Sequence, residues 1–189
     1  HFLEALQTSD FATAENILAG KTYGLETGRL GPALLAAHRG QYESSVALLP
    51  PPEQLAATGD ARGSVLRGDV LRSLGDEAGA RAAFTPRYVD TANPVAWAWQ
   101  WLRPAPTRSI DLGGNLDLGY INGCYLGEGD ASERITYRWC TDGMQLRFPN
   151  AGGTTAQRLR LTVDGRGWPA DLRPAPPIRV YAGNTDIGA

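Results

Sequence analysis

The chain has 189 residues, 42% of them hydrophobic and 20% charged, with a formal net charge of -2. That is the composition of an ordinary globular protein with one sizeable core or two small ones. It excludes a strongly basic nucleic-acid binder, and no apolar run approaches the roughly 20 residues that span a bilayer.

Charge divides evenly along the chain. Residues 1–106 hold nine Arg or Lys against eleven Asp or Glu, and residues 107–189 hold nine against nine. Seventeen of the 18 basic residues are Arg, which together with abundant Ala, Gly and Pro points to a GC-rich bacterial genome. The chain begins at His1, without Met or a basic leader, and closes on the strand-like run IRVYAGNTDIGA. Both ends are therefore expected to be excerpts of a longer polypeptide.

Residues 1–103 read as helices. FATAENILAG (11–20) places Phe11, Ala14, Ile17 and Leu18 at helical spacing and can stop at Gly20. LGPALLAAHRG (30–40) is a second apolar helix, and QYESSVALLPPP (41–52) is a third, stopped by three prolines. ARGSVLRGDVLRSLG (61–75) and DEAGARAAF (76–84) form a further pair. TANPVAWAWQWL (91–102) is the last helix, with Asn93 as N-cap and Pro94 in its first turn.

Three segments align without gaps: SDFATAENIL, GQYESSVALL and GDEAGARAAF, starting at residues 9, 40 and 75. Five positions after each start stands a small residue (Ala14, Ser45, Ala80) and nine positions after it an apolar one (Leu18, Leu49, Phe84). A small residue lets two helices approach closely, and the large one fills the next interface. A period near 34 residues with this pattern resembles the tetratricopeptide repeat, and GDVLRSLGDEAGARAAF (68–84) matches it best. The resemblance implies a scaffold that binds peptides or proteins, without catalysis.

Trp97, Trp99 and Trp101 crowd the end of this region, before the Pro-rich linker at 104–107. On a helix, Trp97 and Trp101 share a face and Trp99 points the other way; on a strand all three share one face. The preceding Asn-Pro and the repeat phase favour the helix. Trp97 and Trp101 then seal the helical stack, and Trp99 docks on the following domain.

From residue 108 the period changes to that of strands. RSIDLG (108–113), LDLGYINGCYLGE (116–128), ITYRWC (135–140), MQLRFP (144–149), QRLRLTVDG (157–165) and IRVYAGN (178–184) are the candidate strands, separated by Gly, Pro, Asn and Asp. Short strands with regular turns predict an antiparallel β-sandwich or jelly roll over 108–189. IDLG, GYINGCYLGE, TYRWCTDGMQLRFP and QRLRLTVDGRGWP are similar to segments of galactose-binding-like domains, and the tandem resembles modules of large envelope proteins of bacteria such as Chloroflexi. Such domains often bind carbohydrate, and many only pack against a neighbour. They usually have further strands. The short count leaves an open sheet edge to be completed, by more chain or by a strand from another copy.

Several residues stand out chemically. Cys124 and Cys140 lie on successive candidate strands and are read either as buried thiols or, in an extracellular protein, as a disulfide. Tyr120, Tyr125, Tyr137 and Trp139 are read as core aromatics or as a sugar-stacking platform. His38 sits in an apolar helix and reads as structural. The acidic loop LGEGDASE (126–133) lacks an EF-hand's spacing and reads as solvated, a structural calcium being the alternative. With two Cys and two His, a zinc cluster is nearly excluded. No nucleophile elbow, P-loop or dinucleotide fingerprint occurs.

The expectation is a non-catalytic extracellular or cell-surface assembly module with no cofactor, whose partner is protein, chiefly other copies of itself. The alternative is a carbohydrate-binding accessory region of a larger envelope glycosyltransferase or polysaccharide-processing protein.

Overall fold

A computed structural model describes residues 1–20, 25–84, 93–130, 135–149, 151, 158–162, 171 and 177–188. Among the described residues eight helices come first: α1 (Phe2–Gln7), α2 (Phe11–Ala19), α3 (Leu25–His38), α4 (Tyr42–Leu48), α5 (Pro52–Thr58), α6 (Ala61–Ser73), α7 (Glu77–Phe84) and α8 (Pro94–Trp101). Six short strands follow among the described residues: β1 (Ile121–Cys124), β2 (Glu128–Asp130), β3 (Ile135–Tyr137), β4 (Cys140–Leu146), β5 (Val180–Ala182) and β6 (Thr185–Gly188). The protein is mixed α+β.

Polar side chains start the helices. Asp10 accepts from the Thr13 amide at 3.1 Å, Asp60 from Gly63 at 2.9 Å and Asp76 from Gly79 at 2.9 Å. Asn93 caps α8 as its sequence predicts, accepting from the Val95 and Ala96 amides. Each cap satisfies donors that the first helical turn leaves without partners.

Two helices were not expected. α1 is one. The other, α5, begins at the prolines that read as a stop. Pro51 is its N-cap and Pro52 its first residue, a position where a missing N–H costs nothing. Gly59 ends it at φ 62°, a left-handed conformation in which a Cβ is strained.

Consecutive helices pack in pairs: α1 with α2, α3 with α4, α6 with α7. Ala14, Ser45 and Ala80 are completely buried, and Leu49 and Phe84 fill the core as their positions predict. Leu18 packs at the core's margin. The Ser45 hydroxyl donates to the Ala33 carbonyl at 2.8 Å across the α3–α4 pair, so this small residue is also a fastener. Gly68 goes further than Ala: a Cβ there would lie 2.5 Å from the Phe84 ring.

The chain forms two compact units, His1–Gly153 and Thr154–Ala189. In the first, one core runs from Phe2 on α1 through the helices to Leu118, Tyr120, Ile121 and Cys124. The sequence predicts a linker at 104–107, but the units do not divide there. Pro104 is buried, and the Tyr120 hydroxyl donates to the Ala105 carbonyl at 2.6 Å. Residues 104–107 thus pass over a shared core, and β1 packs on α8.

The described residues form three two-stranded antiparallel sheets, β1–β4, β2–β3 and β5–β6, and do not make up the expected sandwich. RSIDLG is not a strand. Its Ile110 and Leu112 pack against the core, and Gly113 (φ 111°) and Asn115 (φ 61°) turn the backbone where a strand would continue. LDLGYINGCYLGE splits into turns over 116–120, then β1 and the first residue of β2. ITYRWC gives β3 and the first residue of β4, and MQLRFP the end of β4. Of QRLRLTVDG, residues 158–162 form no strand and the remainder lies outside the described residues. IRVYAGN supplies β5, and the TDIG after it supplies β6.

Candidate functional site

α8 and the segment after it organise the first unit's polar surface. Trp97 and Trp101, one turn apart, stack with ring centroids 6.1 Å apart and planes 16° from parallel. Both pack against the core. Trp99, on the other side of the helix, meets Arg147, whose guanidinium carbon lies 4.6 Å from its ring centroid. Arg147 follows β4 and also donates to the Leu102 carbonyl at 2.9 Å and the Gly119 carbonyl at 2.5 Å. The three tryptophans therefore divide as a helix requires, and Trp99 couples α8 to the β region.

His38, at the end of α3, is half-buried, and its Nε2 donates to the Trp101 carbonyl at 2.8 Å. Burial holds its pKa below the usual histidine value, outweighing that hydrogen bond. Nearby, Asp69 of α6 is buried and paired with Arg72. Burial raises its carboxyl's pKa above the ordinary value despite that neighbour. Arg72 also reaches the Leu116 carbonyl and lies over the rings of Phe84 and Tyr120, at 5.4 and 4.7 Å.

A second buried pair aims the strand aromatics. Arg138 grips Asp117 with two parallel bonds, Nε to Oδ2 at 2.6 Å and Nη2 to Oδ1 at 2.5 Å. The Arg138 side chain is 1% exposed and that of Asp117 is 0%. The Gly113 amide donates to Asp117 at 3.0 Å, and Asn115 accepts from Arg138 at 2.9 Å while donating to the Phe84 carbonyl at 3.1 Å. The pair is thus hydrogen-bonded on all sides, as a buried charge pair must be.

Side chains alternate along an extended backbone. With Arg138 inward, Tyr137 and Trp139 are outward, 43% and 52% exposed, and their rings meet edge to face at 6.4 Å. This reverses the face that the alternation Ile135, Tyr137, Trp139 suggests for a half-buried strand. Tyr125 is 62% exposed, and its amide donates to the Trp139 carbonyl at 2.9 Å. Tyr125, Tyr137 and Trp139 therefore share one exposed neighbourhood. Tyr120 does not belong to it: it is buried, and its phenol's pKa is raised by burial.

Cys124 and Cys140 face each other in the β1–β4 ladder and form a disulfide, S–S 2.11 Å, closing a separation of 16 residues. It staples the base of the aromatic neighbourhood. Of the acidic loop 126–133, Glu128–Asp130 form β2 and residues 131–133 lie outside the described residues. Among the described residues no three His, Cys, Asp or Glu side chains are grouped to hold a metal ion. No described helix is long and apolar enough to cross a membrane.

Between α8 and β1 lies an open cleft of about 540 Å³. Its walls include Gln7, Trp99, Gln100, Arg103, Asn122 and Arg147. The arginines that organise these features, Arg72, Arg138 and Arg147, were not among the site residues read from the sequence. The one available sign was a single Arg inside an otherwise apolar strand pattern, as in Tyr137–Arg138–Trp139.

No protein-family model, curated protein or solved structure matches this chain.

Proposed function

We propose that this chain is a non-catalytic assembly module of the extracellular space or cell surface, completed by strand addition. The observation that carries this reading is the β5–β6 hairpin of the second unit. It turns through Gly183 and Asn184, with Gly183 at φ 60°. Neither strand pairs with a further strand among the described residues. Tyr181, Ile187 and the preceding Ile178 are large apolar residues left exposed. A lone two-stranded hairpin is marginal in water and offers open edges to another strand. The partner is another copy of the same chain, adding a strand through backbone hydrogen bonds.

Other features agree with this reading. The paired helices with small residues at their crossings are what a tetratricopeptide-like scaffold would use. The sequence of the β region resembles galactose-binding-like segments, and a sandwich of that kind needs more strands than the described residues supply. A disulfide suits an oxidising compartment. His38 is engaged by a backbone carbonyl, not by a nucleophile.

The test is the size of the protein in solution, by light scattering and electron microscopy across concentration. Oligomers or fibres that dissolve on the double substitution Tyr181→Lys and Ile187→Lys are expected. A chain that stays monomeric at every concentration overturns the reading.

The exposed Tyr125, Tyr137 and Trp139 favour a second reading, carbohydrate binding as an accessory to a larger envelope glycosyltransferase or polysaccharide-processing protein. Outward aromatic rings stack on the apolar faces of sugars. Glycan-array binding that disappears with Trp139→Ala supports it, and an array without signal sinks it.

A further inference from the structure

The cleft beside α8 has a charge imbalance that its protein partners do not relieve. Arg147 makes its hydrogen bonds to the carbonyls of Leu102 and Gly119, both neutral. Arg103 bonds the Ser9 hydroxyl at 3.1 Å and the Gln7 carbonyl, also neutral. Neither forms an ion pair with a described carboxylate, whereas the buried guanidiniums of Arg72 and Arg138 each hold an Asp. Among the described residues no Asp or Glu lines the cleft. The buried carboxylate nearest in effect, Asp69, is already bound to Arg72. Burial lowers the pKa of Arg147, so its charge is held at a cost. A half-buried cation that has no direct ion pair and shares its nearest carboxylate with another guanidinium is stabilised by an anion that enters beside it.

The remaining walls narrow the ligand. Gln7, Gln100 and Asn122 carry amides; Gln7 donates once to the Gln100 carbonyl at 3.4 Å and Asn122 once to Gln145 at 3.0 Å, and the donors and acceptors left over match hydroxyl groups. Trp99 contributes an apolar wall. The volume of about 540 Å³ suits a small molecule. We propose that this cleft binds a small hydroxylated carboxylate, such as a uronic acid. The carboxylate meets the N–H groups of Arg103 and Arg147 that the Ser9, Gln7, Leu102 and Gly119 oxygens leave over, and the hydroxyls meet the amides. The proposal uses no residue of the hairpin and neither Tyr137 nor Trp139, and stands or falls independently of both readings above.

Glucuronate, glucose and inorganic phosphate would be titrated into the intact chain by calorimetry. Glucuronate should bind, glucose should not, and phosphate should bind more weakly than glucuronate. Arg103 is exposed, so Arg103→Met should leave the fold intact and weaken glucuronate about tenfold, the loss of one charge-assisted hydrogen bond. In the unaltered protein, glucuronate should shift the NMR signals of the Trp99 indole and the Asn122 amide while leaving Trp139 unmoved. Absence of glucuronate binding, equal binding of glucose, phosphate binding as tight as glucuronate, or shifts confined to Trp139 would each overturn the assignment.

Discussion

The guanidinium of Arg147 lies 4.6 Å from the centre of the Trp99 ring, joining the last helix to the strand region through one contact between a cation and an indole face. A half-buried contact of this kind is worth up to about 2 kcal/mol. Trp99→Ala is expected to cost about that much, and Arg147→Met a similar amount. The double variant should cost less than the sum of the two, by about 1 kcal/mol. Chemical denaturation of the four proteins measures this. Strict additivity would show that the two side chains act separately.

Removing one member of a fully buried ion pair strands the other. Arg138→Met leaves the Asp117 carboxylate in the core with only the Gly113 amide to hold it. A loss of about 3–5 kcal/mol is expected. Asp117→Leu combined with Arg138→Met should recover much of it, because an apolar pair has no desolvation cost. If the double variant is no more stable than Arg138→Met alone, the buried charge is not the cause.

The disulfide closes a separation of 16 residues, which corresponds to about 3 kcal/mol of loop entropy. Reduction should lower the melting temperature and raise the mass by about two hydrogens. It should also loosen the fixed environment of Trp139, which follows from near-UV circular dichroism. Unchanged melting after complete reduction would count against the staple.

Gly68 leaves space for the Phe84 ring, and a Cβ would sit 2.5 Å from it. Gly68→Ala is therefore expected to destabilise by about 1–3 kcal/mol, although Ala is the better helix former. A stabilised variant would mean that the α6–α7 crossing can widen without cost.

His38 has a folded pKa below its unfolded value, because burial disfavours the imidazolium. Its contribution is complete above the unfolded pKa, near 6.5. As pH falls below that value, the unfolded chain takes up the proton first and stability declines until the folded pKa is reached. The slope is at most about 1.4 kcal/mol per pH unit. Thermal melts from pH 8 to 5 should show this decline, and His38→Gln should flatten it. A variant with the same slope would place the titration elsewhere.

Local rules account for much of this molecule. Asn93 and Pro94 start α8 because a side-chain acceptor and a fixed φ suit a first turn, and both are visible in the chain as written. Ala14, Ser45 and Ala80 are small because helices cross there, and their spacing shows it. The split of Trp97 and Trp101 from Trp99 follows from 3.6 residues per turn.

Period alone could not orient the strand residues. Alternation establishes that Tyr137 and Trp139 share a face opposite to Arg138, and it is equally satisfied with either face inward. What decided it was Asp117, 21 residues earlier, a buried carboxylate neutralised by the Arg138 guanidinium brought inside. The cleft depends in the same way on Gln7, Arg103, Asn122 and Arg147 meeting from distant parts of the chain. The sequence by itself determined where helices begin, which residues are small at their crossings and how the tryptophans divide, because those are local matters of dihedral preference and period. The tertiary structure decided which face of a strand meets water and which arginines have no ion pair among the described residues, because those depend on charges brought together from far apart in the chain.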